Sequence, residues 1–356
     1  QAGAAPPPGA DPLMEGVWFG VIGFVLTVYA VLDGFDLGVG LLHPLVARTE
    51  PERRAALAAV GPVWDGNEVW LIAFGGLLFL AFPRVYAAGF SGFYLPLMMV
   101  LWLLIGRGIA IEWRHGLDDP MWKAPLDLLF FACSGLLAVL FGLAVGNVVR
   151  GVPLDPQGYY QGLFAWMLNP YALLIGALSL TLLALHGANW LALKTEGTLQ
   201  QRARGIARRL LWVLTAVLAL ATLATFGVRA DMLHNYRAAP ALLVVPLLVA
   251  GTVAALWHYR TRDHDLGAFA CSSGLIAGLA AATAIGLHPY LLPSEPHPER
   301  GLTIANAASN SHSLAVGLLW LSFGLTVVVS HMLFVYALFR GKVAEGGQEP
   351  SGAEYV

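Results

Sequence analysis

Charged residues are scarce in this chain. Only 12% of its 356 residues are Asp, Glu, Lys or Arg, and 58% are hydrophobic, whereas about 25% charged residues is usual in soluble domains. The mean hydropathy is correspondingly high, at +0.68. This composition excludes an ordinary soluble domain and indicates an integral membrane protein.

Cysteines are few, and long basic tracts are missing. Cys133 and Cys271 each lie in an apolar run, which is typical of small buried hydrophobic residues rather than of a disulfide or a metal site. The net charge of −2 and the absence of a basic run beyond one short helix-flanking stretch give no sign of nucleic-acid binding. We therefore expect no metal site and no nucleic-acid partner.

The first 13 residues, QAGAAPPPGADPL, contain no lysine or arginine. A signal peptide begins with a positively charged region, so this segment does not resemble one. We interpret Met14 as the natural start, residues 1–13 as a disordered tail or a tag remnant, and residues 14–340 as one transmembrane domain. The Gly- and Glu-rich segment 341–356 is predicted to be a disordered C-terminal tail.

Long apolar runs fill the rest of the chain, and about 20 apolar residues suffice to cross a bilayer as a helix. The sequence predicts an all-α polytopic membrane protein with nine transmembrane helices. They cover residues 16–43, 57–82, 85–111, 125–148, 164–193, 207–228, 240–259, 266–288 and 312–340. The second and third are joined by the short corner FPR, which predicts a hairpin.

The distribution of lysine and arginine predicts the orientation. With the N-terminus outside, 15 of the 20 lysines and arginines fall in the inner connections. Positive charge favours the cytoplasmic side. The N-terminus is therefore predicted to be outside and the C-terminus cytoplasmic.

Two carboxylates stand inside the first apolar run, in the stretch LDGFDLGVG. Asp33 and Asp36 lie roughly 5 and 10 Å to the cytoplasmic side of the predicted midplane, at about 1.5 Å per helical residue. Their spacing of three places them on one helical face. Gly34 and its neighbouring glycines let another helix approach closely. A carboxylate facing lipid costs about 2.5 to 3.5 kcal/mol, so these acids are expected to face the bundle interior.

Other polar residues are predicted in the same inner layer. They are Trp64, Asp65, Gly66, Asn67 and Glu68 at the start of the second span, Arg107 and Glu112 near the end of the third, Asp127 at the start of the fourth, and 186–189 in the fifth. Arg107 is a candidate counter-charge for Asp33 or Asp36. Alternatively, Arg107 extends to the headgroups, and Glu112 and Asp127 are interfacial anchors. Helix packing alone requires small residues and not ionisable ones.

Histidines within the spans raise the question of haem binding. His186 and His331 both fall in inner halves, and haem ligation by two histidines requires a facing pair at matched depth. Their spacing does not support such a pair, and hydrogen-bonded core histidines are the simpler interpretation.

Several motifs carry a family resemblance. DGFDLGVG, GPVWDGNEVWLIAFGGLLFLAFPRVYAAGFSGFYLPL, RGIAIEWR, GNVVRGVP and LNPYALL occur in this order. From about residue 15 to residue 340 the chain resembles subunit II of cytochrome bd quinol oxidase, a family for which nine spans are expected. The WDGN element is the most specific of these motifs.

The resemblance implies a non-haem subunit of a bacterial inner-membrane oxidase. The enzyme oxidises a membrane quinol and reduces dioxygen to water, and this chain alone is not expected to be catalytic. No cofactor is expected in this chain, since the three haems, two b-type and one d-type, belong to the partner subunit I. Subunit II supports that partner and contributes to proton delivery from the cytoplasm. The resemblance adds membrane lipid, a structural quinone in some members and a small accessory subunit as further partners.

The resemblance also implies roles for individual residues. The family's important positions match Asp33, Asp36, Trp64, Asp65, Arg107 and Asp127, with Glu68 in the same polar cluster and Gly34, Gly66 and Asn67 in the motifs. His186 departs from the family, in which glutamine is common at this place.

Two other classes of function compete with this interpretation. A proton-coupled transporter also carries intramembrane acids, but it usually shows repeated halves with broken helices, and no internal repeat is evident. A haem-bearing cytochrome would absorb strongly in the Soret region when expressed alone, whereas co-purification with a haem subunit would favour the oxidase.

Overall fold

A computed structural model of the protein describes residues 11–116 and 119–343. The predicted tails, apart from the few residues that border the helical domain, lie outside the described residues. The described chain is almost entirely helical. Its helices are α1 (Pro12–Val46), α2 (Glu50–Ala58), α3 (Trp64–Ala81), α4 (Pro83–Gly92), α5 (Tyr94–Gly116), α6 (Pro120–Arg150), α7 (Pro170–Lys194), α8 (Gly197–Val228), α9 (His234–Ala238), α10 (Val244–Thr261), α11 (Asp265–Leu287), α12 (Ile304–Ala307) and α13 (Ser311–Leu338).

Eight helices in the described part of the chain are long and apolar enough to cross a membrane. They are α1, α5, α6, α7, α8, α10 with the turn before it, α11 and α13. The prediction of an all-α polytopic membrane protein is confirmed at this level. The predicted second span corresponds to α3, which has 18 residues and carries three polar side chains in its first two turns. At 1.5 Å per residue α3 is about 27 Å long, close to the hydrocarbon thickness of about 30 Å.

Several predicted helix boundaries differ from the structure. The second span was expected from residue 57, but residues 59–63 form a turn and α3 begins only at Trp64. The third was expected as one helix over 85–111, but it is broken at Phe93 between α4 and α5. The fifth was expected from residue 164, but residues 164–167 form a short 3-10 helix and α7 begins at Pro170. Apolar composition alone does not reveal these backbone breaks.

N-cap residues explain where three of the long helices begin. Asp11 precedes α1, Asn169 precedes α7 and Asn310 precedes α13, and each side chain accepts a hydrogen bond from a backbone N–H of the first turn. Pro12 and Pro170 occupy the first helical position, where proline removes no intrahelical hydrogen bond.

Helix α1 lies at the centre of the bundle and packs against α3, α6, α7 and α11. Its closest approach is to α7, at Gly38 and Gly187. A Cβ atom at Gly38 would lie 2.0 Å from the Leu183 carbonyl oxygen, and one at Gly187 would lie 2.2 Å from the Gly38 carbonyl carbon. Only glycine fits at this backbone contact, which holds the acidic stretch of α1 inside the bundle.

A small cap covers the end of the bundle where α1 begins. Strand β1 (Tyr290–Leu292) pairs antiparallel with β2 (Leu302–Thr303), and Val152 donates its N–H to the carbonyl of Pro293. Below this cap, the Asn169 side chain donates to Oδ1 of Asn147 at 2.9 Å. The motifs GNVVRGVP and LNPYALL are therefore joined by their asparagines, which tie α6 to α7.

Candidate functional site: a buried acid and arginine cluster

Asp33 and Arg107 form an ion pair in the middle of the bundle. Nη1 of Arg107 donates to Oδ1 of Asp33 at 2.6 Å, and both side chains are completely buried. This geometry excludes the alternative in which Arg107 extends to the headgroups. The pair joins α1 to α5, and it shows that Asp33 is the acid that pairs with Arg107.

Asp36 is held by an amide instead of a cation. Nδ2 of Asn67 donates to Oδ2 of Asp36 at 2.8 Å and to the Leu32 carbonyl at 3.3 Å. Both Asp36 and Asn67 are fully buried. The amide oxygen of Asn67 accepts a hydrogen bond from the Tyr336 hydroxyl at 2.8 Å. Asp36 thus connects α1 to α3 and, through α3, to α13.

Glu68 and Trp64 complete the cluster from α3. Oε1 of Glu68 lies 3.6 Å from Nη2 of Arg107, and its side chain is 18% exposed. The Trp64 ring lies beneath the Arg107 guanidinium, 6.0 Å from centroid to Cζ, within the range of a cation–π contact. We name Asp33, Asp36, Asn67, Glu68 and Arg107 the buried polar cluster.

Asp65 lies apart from the buried polar cluster. It is exposed on the first turn of α3, on the same face as Val69 and Ile72, which are 44% and 74% exposed. Gly66 has open space where a Cβ would lie, whereas a Cβ at Gly34 would lie 2.9 Å from a methyl group of Leu183. The structure therefore places one predicted acid at the surface and one predicted glycine in a close helix contact.

Some buried polar atoms of the cluster have no hydrogen-bond partner in the protein. They are Oδ2 of Asp33, Oδ1 of Asp36, and Nε and Nη2 of Arg107, together with the hydroxyl of Tyr29 one turn before Asp33. The cluster therefore brings three carboxyl groups and a phenol close to one guanidinium, and several of their lone pairs and N–H groups have no partner in the protein. Groups of this kind can pass a proton over short distances.

Asp127 belongs to a second group of charges, near the end of the bundle where α2 lies. It accepts from His43 at 2.9 Å, from Arg53 at 2.8 Å and from Arg114 at 2.8 Å. Arg114 also pairs with Glu50 at 2.7 Å. These contacts lower the pKa of Glu50 to about 2, chiefly through the hydrogen bond from Arg114, with smaller contributions from Lys123 and Arg54. We name His43, Glu50, Arg53, Arg114 and Asp127 the Asp127 ion cluster.

Both ring nitrogens of His186 are occupied. Nε2 lies 3.0 Å from the Val31 carbonyl and Nδ1 lies 2.7 Å from the Ser272 hydroxyl, and the ring stacks on Phe269 at 4.8 Å. The residue is fully buried, whereas His331 is exposed. His186 is a hydrogen-bonded core histidine that joins α1, α7 and α11, and the two histidines do not form a facing pair for haem. Among the described residues, no group of three His, Cys, Asp or Glu side chains could hold a metal ion.

Sequence reasoning missed several members of these clusters. Tyr29 and Tyr336 are ordinary aromatic residues in apolar helices and gave no local signal. Arg114 lies within the quoted motif RGIAIEWR, which could have identified it. Glu50 lies in the short α2, in the connection between the first and second predicted spans. Glu112, which was grouped with the inner layer, is exposed.

Comparisons with known proteins identify the family to which the chain is similar. The sequence profile described as cytochrome bd terminal oxidase subunit II matches residues 14–339. The chain is 33% identical to the probable cytochrome oxidase subunit 2 of Haemophilus influenzae, over 92% of this chain and 94% of the relative. It is 32% identical to the cytochrome bd-I ubiquinol oxidase subunit 2 of Escherichia coli, over 92% and 95%. It is also 32% identical to the cytochrome bd ubiquinol oxidase subunit 2 of Bacillus subtilis, over 93% and 97%.

A solved structure shares the fold. A chain of the bd oxidase from Geobacillus thermodenitrificans matches with a TM-score of 0.75 at 19% identity, covering 92% of this chain and 98% of that chain. The family resemblance predicted from the sequence motifs is confirmed. This chain belongs to the cytochrome bd terminal oxidase subunit II family.

Proposed function

We propose that this chain is the non-haem subunit of a bd-type quinol oxidase in the bacterial inner membrane, and that it delivers protons to a haem-bearing partner. The relatives in Escherichia coli and Bacillus subtilis are subunits of ubiquinol oxidases. The haems of the partner supply the reduction of dioxygen. The observation that carries the proposal is the buried polar cluster, in which Arg107 pairs with Asp33 and lies near Glu68, and Asp36 is buried one turn from Asp33 within an apolar bundle.

The burial of the acids suggests the order in which a proton meets them. Asp65 is exposed, Glu68 is partly exposed, and Asp33 and Asp36 are fully buried. Arg107 contacts both Glu68 and Asp33, so it links the partly exposed acid to the buried ones. We propose that a proton passes from Asp65 and Glu68 at the start of α3 to Asp33 and Asp36. Because the carboxyl groups outnumber the cation, a proton can be shared among them without leaving the arginine unpaired.

The Asp127 ion cluster has a structural role in this proposal and does not carry protons. Asp127 is held by two arginines and a histidine, and a carboxylate so enclosed is a fixed anion rather than a proton carrier. We propose that it fixes α2 and the ends of α1, α5 and α6 at the cytoplasmic surface. Its arginines contribute to the positive charge that favours an outside N-terminus. In this topology α3 also crosses the membrane, in addition to the eight long apolar helices, which gives nine spans.

The exposed face of α3 is the surface that we assign to the partner. Asp65 lies one turn from Val69 and about two turns from Ile72 on this face. An acid facing lipid would cost about 2.5 to 3.5 kcal/mol, whereas a protein surface can supply a hydrogen-bond partner. The haem-bearing subunit is therefore proposed to cover this face at Val69 and Ile72 and to border Asp65, where the proton enters. A structural quinone, a small accessory subunit and specific lipids stay predictions, to which no contact of the described residues assigns a place.

The proposal is tested with two substitutions in the assembled oxidase. Asp36→Asn and Asp65→Asn keep the shape of the side chain but remove its proton, so oxygen consumption with excess quinol should fall about tenfold or more. Haem content, measured in the same membranes, should stay near the parent level. The matched control is the double change His297→Ala and Glu299→Ala, in an exposed outer pair, which should leave turnover unchanged. Normal turnover in both acid variants would refute proton delivery, and joint loss of haem and activity would assign these acids to assembly.

A further inference from the structure

Tyr336 lies near the end of α13, far in the sequence from the acids. Its hydroxyl donates to Oδ1 of Asn67 at 2.8 Å, and its ring meets the edge of Trp190 with the centroids 6.5 Å apart. No part of the proton path described above uses this residue. Its only hydrogen bond among the described residues goes to the amide that holds Asp36.

The environment of Asn67 fixes the orientation of its amide. The Leu32 carbonyl can only accept a hydrogen bond, so the group that faces it at 3.3 Å must be the NH₂. The same NH₂ donates to Oδ2 of Asp36 at 2.8 Å. The amide oxygen is then turned towards α13, where the Tyr336 hydroxyl donates to it. Without this donor a buried amide oxygen would be left unpartnered, which is costly.

This arrangement distinguishes the two oxygens of Asp36. Oδ2 is occupied by an N–H donor, whereas Oδ1 is buried without a partner in the protein. A carboxylate oxygen that already accepts a hydrogen bond from an N–H group is a less favourable site for the proton that the carboxyl group takes up. We propose that Tyr336 is a positioning residue, which orients the Asn67 amide so that Asp36 takes up and releases its proton at Oδ1. This inference rests on the proposed function, in which Asp36 carries a proton.

Other titratable or charged groups also face Asp36 and have to be considered with it. They are Asp33 on α1, Glu68 on α3, Arg107 on α5 and Tyr336 on α13, while His186 on α7 has both nitrogens bonded elsewhere. Of these, Tyr336 is the one that reaches Asp36 through the amide alone. Removing its hydroxyl therefore changes the hydrogen bonding of Asp36 without changing any charge of the buried polar cluster.

A second contact between the same two helices supplies a matched control. Nε1 of Trp70 on α3 donates to Sδ of Met332 on α13 at 2.9 Å. Met332→Leu removes this polar contact one turn from Tyr336 with little change in volume. It loosens the attachment of α13 to α3 but leaves Asn67 and Asp36 untouched.

The experiment uses Tyr336→Phe, Met332→Leu and Asp36→Asn in the assembled oxidase. Haem content is measured together with oxygen consumption as a function of pH. We expect Tyr336→Phe to slow turnover about fivefold to tenfold, as for the loss of one hydrogen bond, and to displace the pH at which turnover is half-maximal. Met332→Leu should keep the parent rate and pH profile. In a double-mutant cycle, adding Tyr336→Phe to Asn67→Leu should have no further effect, because Tyr336 acts through that amide.

The outcomes separate this inference from the proposed function. If Asp36→Asn is slow but Tyr336→Phe keeps the parent rate and pH profile, the positioning role is wrong and proton delivery stands. If Asp36→Asn turns over normally, Asp36 carries no essential proton, and both the proposed proton delivery through Asp36 and this inference are wrong. Loss of haem in Tyr336→Phe, or the same defect in Met332→Leu, would show that Tyr336 only holds α13 in place and would overturn the inference.

Discussion

Arg107 determines how charge is arranged inside the bundle. It is fully buried and pairs with Asp33 at 2.6 Å, so Asp36, three residues away on the same helix, is left to an amide. Removing one partner of a buried ion pair leaves an uncompensated charge and costs about 3 to 5 kcal/mol. This penalty applies to changes at Asp33 and not to those at Asp36. Asp36→Asn is therefore the cleaner probe of proton transfer.

Glu50 provides a pH-dependent test of the Asp127 ion cluster. Its pKa is lowered from 4.5 to about 2, first of all by the hydrogen bond from Arg114. A lowered carboxyl pKa stabilises the fold fully above the unfolded-state value, about 4.5, and this stabilisation is lost as the pH falls towards about 2. Glu50→Gln should therefore lower the melting temperature of the purified complex at pH 7, and the difference from the parent should shrink below pH 4.5.

The expected effect at Glu50 is small. Its side chain is 38% exposed, so solvent screens the pair and its contribution is below about 1 kcal/mol. Glu299→Gln is the matched control, since that side chain is 68% exposed in the loop between β1 and β2. A difference between the parent and Glu50→Gln that grows between pH 4.5 and pH 3 would contradict the assignment.

At the scale of helices, the contact between α1 and α7 holds the acidic stretch of α1 in place. A Cβ at Gly187 would lie 2.2 Å from the backbone of Gly38. Gly187→Ala must push the two helices apart, and overpacking of this kind costs about 1 to 3 kcal/mol. We expect a lower melting temperature of the complex and a lower yield of haem-loaded oxidase.

Gly251→Ala is the control for this prediction. Gly251 is also helical, and nothing lies within 4 Å of the place where its Cβ would be. Because alanine favours helix more than glycine, this change should not destabilise the complex. Equal melting temperatures for the Gly187→Ala variant and the parent would show that the helices can separate without penalty.

The sequence predicted the parts of the site that depend on rare residues. Carboxylates inside apolar runs are costly, so Asp33 and Asp36 could be recognised, and Arg107 was expected as a counter-charge. It did not predict which acid pairs with Arg107, because that depends on the rotation of α5 against α1. The contact of Tyr336 with Asn67 could not be predicted either, because 269 residues separate the two in the sequence. The break at Phe93 lies in an apolar aromatic stretch in which no charged residue interrupts the hydrophobic pattern.

At the scale of the whole molecule, the two polar clusters connect overlapping sets of helices. The buried polar cluster joins α1, α3, α5 and α13 in the interior, and the Asp127 ion cluster joins α1, α2, α5 and α6 at one end. Helices α1 and α5 belong to both clusters. A displacement of either helix would therefore disturb the Asp127 ion cluster and the buried polar cluster together.

The last prediction concerns the surface that meets the partner. Ile72 on α3 is 74% exposed, and Leu247 on α10 is 70% exposed. Helix α3 packs against α1, α4 and α13, whereas α10 packs against α8 and α11, so the two residues lie on different sides of the bundle. If the haem-bearing subunit covers the Asp65 face, Ile72→Asn places an amide in a packed apolar interface, and less haem should co-purify with the tagged chain. Leu247→Asn changes a residue of similar exposure on another side of the bundle and should retain the parent haem content. Equal haem recovery from both variants would place the partner on another face of the bundle.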